Sequence, residues 1–217
     1  MQAFKTEGII LKRKDFGEAD RILTVFTLHR GKISVLAKGV RRITSRRAGN
    51  VELLNRVLMY LYPGKNFLIL TEAESLDTYQ KIKEDLTLST YAFHIIELVD
   101  KLTAENQENR ILYQHLVEVL KRLEKNPRQI LVRAFEAKTL SNLGFVTFDD
   151  TIVQRNVTKQ LGDVQELLKQ LENNPWDDIE RIEVSENQAL ELERVLRYHL
   201  ERVIESSLKS RKFLRKI

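Results

Sequence analysis

GKISVLAKG, residues 31–39, decides the fold of the first third of this chain. Ile33, Val35 and Ala37 alternate with Lys32, Ser34, Leu36 and Lys38, the period of two expected of a strand with one face in a core and a largely wet outer face. The pattern extends in both directions. FKTEGIILKRK, ADRILTVFTL, LLNRVLMYLY and FLILTEAESL are further β-rich runs, separated by the turn-forming stretches DFGE, HRG and PGKN and by one basic loop. In the fourth run Leu53, Val57, Met59 and Leu61 can face a core while Arg56, Tyr60 and Tyr62 face away. Five short antiparallel strands within residues 1–80 fit a closed barrel of the OB type, because closure removes exposed edges. An open sheet or an SH3-like barrel satisfies the same spacing.

Beyond about residue 85 the period lengthens to that of a helix. In LTLSTYAFHIIELVDKL the residues Leu88, Tyr91, Ala92, Ile95, Leu98, Val99 and Leu102 share one face, and NRILYQHLVEVLKRL repeats the pattern. PRQILVRAFEAKTLSNLG is delimited by Pro127, suited to a first helical turn, and by Gly144, suited to a stop. DVQELLKQLE before Pro175 reads as a shorter helix. The longest run, beginning at Ser185 with Gln188 in capping-box spacing, predicts a helix that ends near Ser210. FVTFDDTIVQRNVTKQ, residues 145–160, matches neither period and reads as an irregular connection. The fold class is therefore α+β: a five-stranded OB-type barrel over 1–80, then an α-helical domain with a basic carboxy-terminal tail over 81–217.

Charge is unevenly placed along the 217 residues. Residues 1–80 hold 14 Lys and Arg against 8 Asp and Glu, residues 81–207 hold 17 against 23, and LKSRKFLRKI adds 5 cations with no acid. The sequence has a basic front, an acidic middle and a basic tail, which suits a polyanionic partner at the ends. The densest cluster is KGVRRITSRR, residues 38–47, with five cations and no acid in a predicted loop between strands three and four. Such clusters also serve simply to keep a surface solvated. No apolar run approaches the ~20 residues needed to cross a bilayer, and MQAFKTEGII lacks a signal-peptide layout. The expectation is a cytoplasmic protein without membrane contact. The absence of cysteine excludes a disulfide framework, a thiolate zinc site and a cysteine nucleophile.

Little in the sequence points to catalysis. The eight glycines are scattered, with no phosphate-cradling loop, and HExxH and GxSxG are missing. His29 falls in a hairpin turn, and His94, His115 and His199 fall on helices, where a solvated or hydrogen-bonded structural histidine is the ordinary reading. Asp149 with Asp150 and Asp177 with Asp178 read as turn and cap residues. No enzyme activity, metal or other cofactor is expected. Nucleic-acid binding is better supported. Lys38, Arg41, Arg42, Arg46 and Arg47 on the loop, joined by Lys12, Arg13, Lys14, Arg21 and Arg56 on strands, can follow a phosphate backbone. Tyr60, Tyr62 and Phe67 offer flat surfaces for bases, and packing in the barrel is the competing role, the stronger one for Phe67. Lys209, Arg211 and Lys212 in the tail, interleaved with Leu208, Phe213 and Leu214, would form a second phosphate track anchored by apolar residues.

GEAD at residues 17–20, TVFTLHRGKISVLAKGVRR after it, the NLGF turn and the terminal KSRKFL occur in an order that resembles the RecO family of bacterial DNA repair proteins along essentially the whole chain. The resemblance implies an OB barrel followed by a helical domain, binding of single- and double-stranded DNA, and annealing of complementary strands. It also implies partnership with RecR, recognition of the tail of single-strand-binding protein, and indirect action on RecA, whose loading the family assists at the nucleoid. Many relatives carry a four-cysteine zinc module just after the NLGF position. Here FDDTIVQRNVTK stands in its place. A pure RNA-binding or ribosome-associated OB protein is the alternative from another class, and a scaffold contacting acidic protein is a third.

Overall fold

The computed structural model describes residues 2–148 and 159–204. Its first strand, β1 (Phe4–Phe16), is long enough to serve two partners. The first half pairs with β4 (Arg56–Pro63), from Phe4 opposite Leu61 to Ile9 opposite Arg56, and the second half with β2 (Asp20–Thr27), ending with Phe16 opposite Asp20. A register shift between Ile10 and Lys12 marks the bulge at which the strand bends from one neighbour to the other. β2 continues antiparallel into β3 (Gly31–Ala37), and β3 meets β5 (Leu68–Asp77) in parallel through Val35–Leu68 and Leu36–Ile69. β5 returns antiparallel to β4, so the order β1-β2-β3-β5-β4 closes into a barrel. This is the OB arrangement, and closure rules out the open sheet.

The barrel core holds the residues that the alternation selects: Ile33, Val35 and Ala37 from β3, Val57, Met59 and Leu61 from β4. Each of these except the small Ala37, fully buried, is worth about 1.5–3 kcal/mol in apolar transfer. Two further core residues, Val40 and Val51, come from the segment between β3 and β4.

The outer face of β3 differs from expectation. It is not wet: the strand is buried on both faces except at Ser34. Lys32 is only 9% exposed, its ammonium donating to the Asp100 backbone carbonyl and facing the Asp100 carboxylate at 3.7 Å. The connection between α2 (Leu86–Leu102) and α3 (Arg110–Lys125) runs along this face, with the Asn106 amide donating to the Lys32 carbonyl at 2.8 Å. On β2 the buried Phe26 ring lies 6.2 Å from that of Tyr113, and burial pushes the Tyr113 phenol up, with the Glu7 carboxylate adding to the effect. Alternation identifies the side of a strand that faces its own sheet's core. It carries no information about a distant segment that lies on the other side.

The described residues form two compact units, one from 2–85 with 99–117 and one from 86–98 with 118–148 and 159–204. The short α1 (Gln80–Glu84), which buries Ile82, falls in the first and spans too few residues to show a helical period in the sequence. In the second unit α4 (Gln129–Asn142) is central, buried continuously from Ile130 to Leu140. It begins two residues later than the proline signal suggested. Arg128 takes the N-cap position in an extended conformation, leaving Pro127 outside the helix. Its far end follows the sequence closely: Gly144 adopts φ +73°, its amide donates to Ser141 and the Phe145 amide to Leu140, the pair of bonds that makes a Schellman stop.

Burial of α4 makes partners for its charged residues necessary. Arg133 donates to both Glu136 oxygens at 3.0 and 2.9 Å, and His94 Nε2 lies 2.6 Å from Glu136 Oε1. Lys138 donates to the carbonyls of Glu172 and Asn174, both at 2.8 Å, where α5 (Lys159–Asn173) ends. The brief α6 (Trp176–Ile179), absent from the sequence reading, buries Trp176 and Ile179. α7 (Glu186–Val203) opens with the predicted reciprocal capping box of Ser185 and Gln188. It ends at Val203, short of Ser210, because Ile204 turns extended (φ −105°, ψ 110°) and is itself buried. Asp149, Asp150, most of the irregular connection and the tail cations Lys209, Arg211 and Lys212 lie outside the described residues.

Candidate nucleic-acid interface

The basic segment between β3 and β4 is tied down at both ends. Asp20 Oδ1 accepts from the Gly39 amide at 2.7 Å, and the Ala19 carbonyl accepts from the Arg41 amide at 2.9 Å, so the GEAD sequence grips the start of the loop. At the other end Arg47 donates to the carbonyls of Leu70 (2.7 Å), Thr71 (3.3 Å) and Lys38 (2.8 Å). Asn50 donates to Ala73 at 2.9 Å, and Val40, Val51 and Leu54 are at most 1% exposed. The loop therefore plugs the end of the barrel and is part of its core, in contrast to the solvated excursion that its charge suggests.

Held in this way, the loop presents an open cleft of about 460 Å³ lined by Asp20, Lys38, Gly39, Arg42, Thr44, Ser45, Arg46 and Arg47. Lys38, Arg42 and Arg46 are exposed, and their side chains make no ion pair among the described residues. Asp20 is the single acid in the lining, and its carboxylate is engaged by the Gly39 amide. With Arg47, whose partners are backbone carbonyls, four cations line the concavity against one carboxylate, and this excess of positive charge attracts an anion.

The other predicted cations divide differently. Arg13 pairs with Glu52, and Arg21 lies 3.0 Å from Asp15 and 3.8 Å from Glu52. Arg41 reaches the second Asp15 oxygen at 3.4 Å, and the Arg21 hydrogen bond, with help from Arg41, holds the Asp15 carboxyl below its ordinary value. Lys12 pairs with Asp100. Arg56 sits 2.9 Å from Asp77 and 3.8 Å from Glu7. Lys14 is exposed and makes no such pair. Sequence spacing groups all ten barrel cations together, whereas the structure separates five that pair with carboxylates from Lys14, Lys38, Arg42 and Arg46, which do not, and from Arg47, which is held by backbone carbonyls.

The aromatic candidates are also dispersed. Tyr60 stands on the outer face of β4 opposite Glu72, with the Lys5 ammonium 5.0 Å from its ring centre, and Tyr62 is exposed on the same strand. Phe67, just before β5, is half-buried and meets Phe16 with ring centres 6.3 Å apart. Phe16 itself is 45% exposed. The sequence reading omitted it, although its place immediately before the turn into β2 marks a position where OB barrels contact oligonucleotides. Among the described residues no group of three or more His, Asp or Glu could hold a metal ion, and no helix is long and apolar enough to cross a membrane.

Comparison with known families settles the lineage. The model for the recombination protein O N terminal matches residues 1–79, and that for the recombination protein O C terminal matches 83–147 and 161–212. The chain belongs to the RecO family. It is 35% identical to the DNA repair protein RecO of Acetivibrio thermocellus over 71% of this chain and 62% of that protein. With RecO of Pelotomaculum thermopropionicum the identity is 34% over 67% of this chain and 57% of that protein. These matches span about three fifths of the relatives' length. RecO of Desulforamulus reducens aligns over 99% of this chain and 94% of its own, at 28% identity. The gap in the RecO C-terminal match, between 147 and 161, falls on the stretch where FDDTIVQRNVTK stands, and the chain contains no cysteine, so it is a RecO variant without a cysteine zinc module.

Proposed function

We propose that this chain is a recombination mediator that binds single- and double-stranded DNA, anneals complementary strands, and with RecR helps to load RecA onto DNA covered by single-strand-binding protein. The observation that carries the reading is the basic cleft at the barrel end, where Lys38, Arg42 and Arg46 stand exposed without carboxylate partners on a loop held by hydrogen bonds. Lys14 extends the same end along β1, and Lys12, Arg13, Arg21, Arg41, Arg47 and Arg56 support it through the ion pairs and hydrogen bonds that shape the barrel surface. Tyr60, on the outer face of β4, offers a ring to bases outside the cleft. Membership of a family whose named relatives are DNA repair proteins supports DNA as the polyanion.

Annealing requires two polyanions to be held close while base edges remain free to pair. Phosphate contacts achieve the first without interfering with the second. The barrel of residues 1–80 supplies one track, and the tail cations Lys209, Arg211 and Lys212 supply the other. The helical domain of residues 81–217 is the surface for RecR and for the tail of single-strand-binding protein. The protein acts in the cytoplasm at the nucleoid, without catalysis and without nucleotide or metal.

Purified protein mixed with complementary oligonucleotides tests this reading, with and without single-strand-binding protein on the strands. Annealing without ATP, undiminished by chelator and weaker for RNA pairs, is expected. Failure to accelerate DNA annealing, or an equal or stronger response with RNA, would overturn it in favour of an RNA-binding OB protein.

A further inference from the structure

We infer that unpaired bases of single-stranded nucleic acid stack on the Phe16–Phe67 pair at the barrel rim, and that this pair, not the β2–β3 face, distinguishes single strands from duplex. The inference rests on the nucleic-acid reading above and deepens it.

Three observations converge. The first is occlusion of the alternative. OB barrels take bases on the face of strands two and three and on the loops that follow strands one and four. Here that face is filled by the chain itself: Phe26 is fully buried beside Tyr113, Lys32 is held by Asp100, and the Asn106 amide closes on the Lys32 carbonyl. Gly31 adopts φ +61°, and a Cβ there would come within 1.8 Å of the Gln107 carbonyl oxygen, so the covering segment lies directly on the strand.

The second observation is the rim. Phe16 ends β1 and Phe67 precedes β5, so the two loops left open are bridged by a tilted ring pair, 6.3 Å between centres. Phe16 keeps nearly half its surface in water, so its ring is open to a stacked base. The third is charge. Lys14 shares the strand face of Phe16, two residues away, and Lys65 is exposed two residues before Phe67. Phe16 lies opposite Asp20, which lines the cleft carrying Lys38, Arg42 and Arg46. A strand whose phosphates run along these cations places its bases over the rings. Stacking is indifferent to base identity and leaves pairing edges exposed, which is what annealing requires.

The test uses the full chain with three labelled probes: a short thymidine oligomer, an abasic oligomer of the same length, and a duplex. The parent is expected to prefer the thymidine oligomer over the abasic one. Phe16→Ala should abolish that preference, lowering thymidine affinity between about five- and about 150-fold, the range for loss of one stacked base, while duplex affinity stays at the parental value. Phe16→Trp should restore the preference and show indole quenching on binding, which keeps the test decisive if the alanine variant is poorly folded. Equal parental affinity for thymidine and abasic strands, or an undiminished preference in a folded Phe16→Ala protein, would overturn the stacking site while leaving phosphate binding intact. Absence of binding to all three probes would overturn the nucleic-acid reading itself.

Discussion

The Arg47 guanidinium donates to the Lys38 carbonyl at 2.8 Å, so the last cation of the basic run closes the loop that the first one opens. The same guanidinium reaches Leu70 and Thr71 on β5. Two arginines adjacent in sequence, Arg46 and Arg47, thus have different work: one faces water and the other fastens the barrel end.

Their substitution should separate the roles. Arg47→Ala leaves carbonyls of Lys38 and Leu70 short of a donor and is expected to cost about 1–3 kcal/mol, read as a lowered midpoint in thermal or urea unfolding. Arg46→Ala, at an exposed position with no partner to lose, should stay within about 0.5 kcal/mol of the parent. Equal midpoints for the two variants would contradict the division.

Much of the fold could be read from the sequence because the strands are bounded by turn-forming stretches and the core-facing residues of β3 and β4 recur every second position. The Schellman stop at Gly144 and the Ser185–Gln188 capping box are local signals as well, each written within a few residues. What could not be read are relationships between distant segments. Lys32 looked like a wet lysine because Asp100 is far along the chain, and Arg47 looked like another member of a cationic run because its acceptors lie on β5. The site was legible as a cluster and not as a partition: no property of Arg13 or Arg21 in the sequence reveals that Glu52 and Asp15 neutralise them.

The close contact at Gly31 gives a second expectation. An alanine there meets both a left-handed backbone (φ +61°) and the Gln107 carbonyl. Gly31→Ala should be strongly destabilising, by more than the roughly 1–2 kcal/mol of backbone strain alone. Unfolding midpoints that match the parent would show that the segment after α2 does not lie on β3 as described.

Acid should act through Glu136. Burial works against its ionisation, but Arg133 and the His94 hydrogen bond prevail and hold its carboxyl at about 2 instead of 4.5. Between these values the unfolded chain binds the proton and the folded one does not. The stabilisation is therefore complete above the unfolded value and drains away as pH falls towards the folded one. Glu136→Gln, which leaves Arg133 with only Glu193 at 3.4 Å, should cost about 3 kcal/mol at neutral pH and flatten the acid limb of a stability profile. A variant that loses stability with acid as steeply as the parent would place the acid sensitivity elsewhere.

The central claim, that the barrel-end cleft holds phosphates through Lys38, Arg42 and Arg46, is tested most directly by the salt dependence of single-strand binding in the triple variant Lys38→Ala, Arg42→Ala, Arg46→Ala. Each lost phosphate contact lowers the slope of log affinity against log salt by roughly 0.7 for single strands, so the triple variant should lose about two units of slope and bind more weakly at low salt, with an unchanged unfolding midpoint. A folded triple variant with the parental slope and affinity would contradict the claim and move the phosphate track off the cleft.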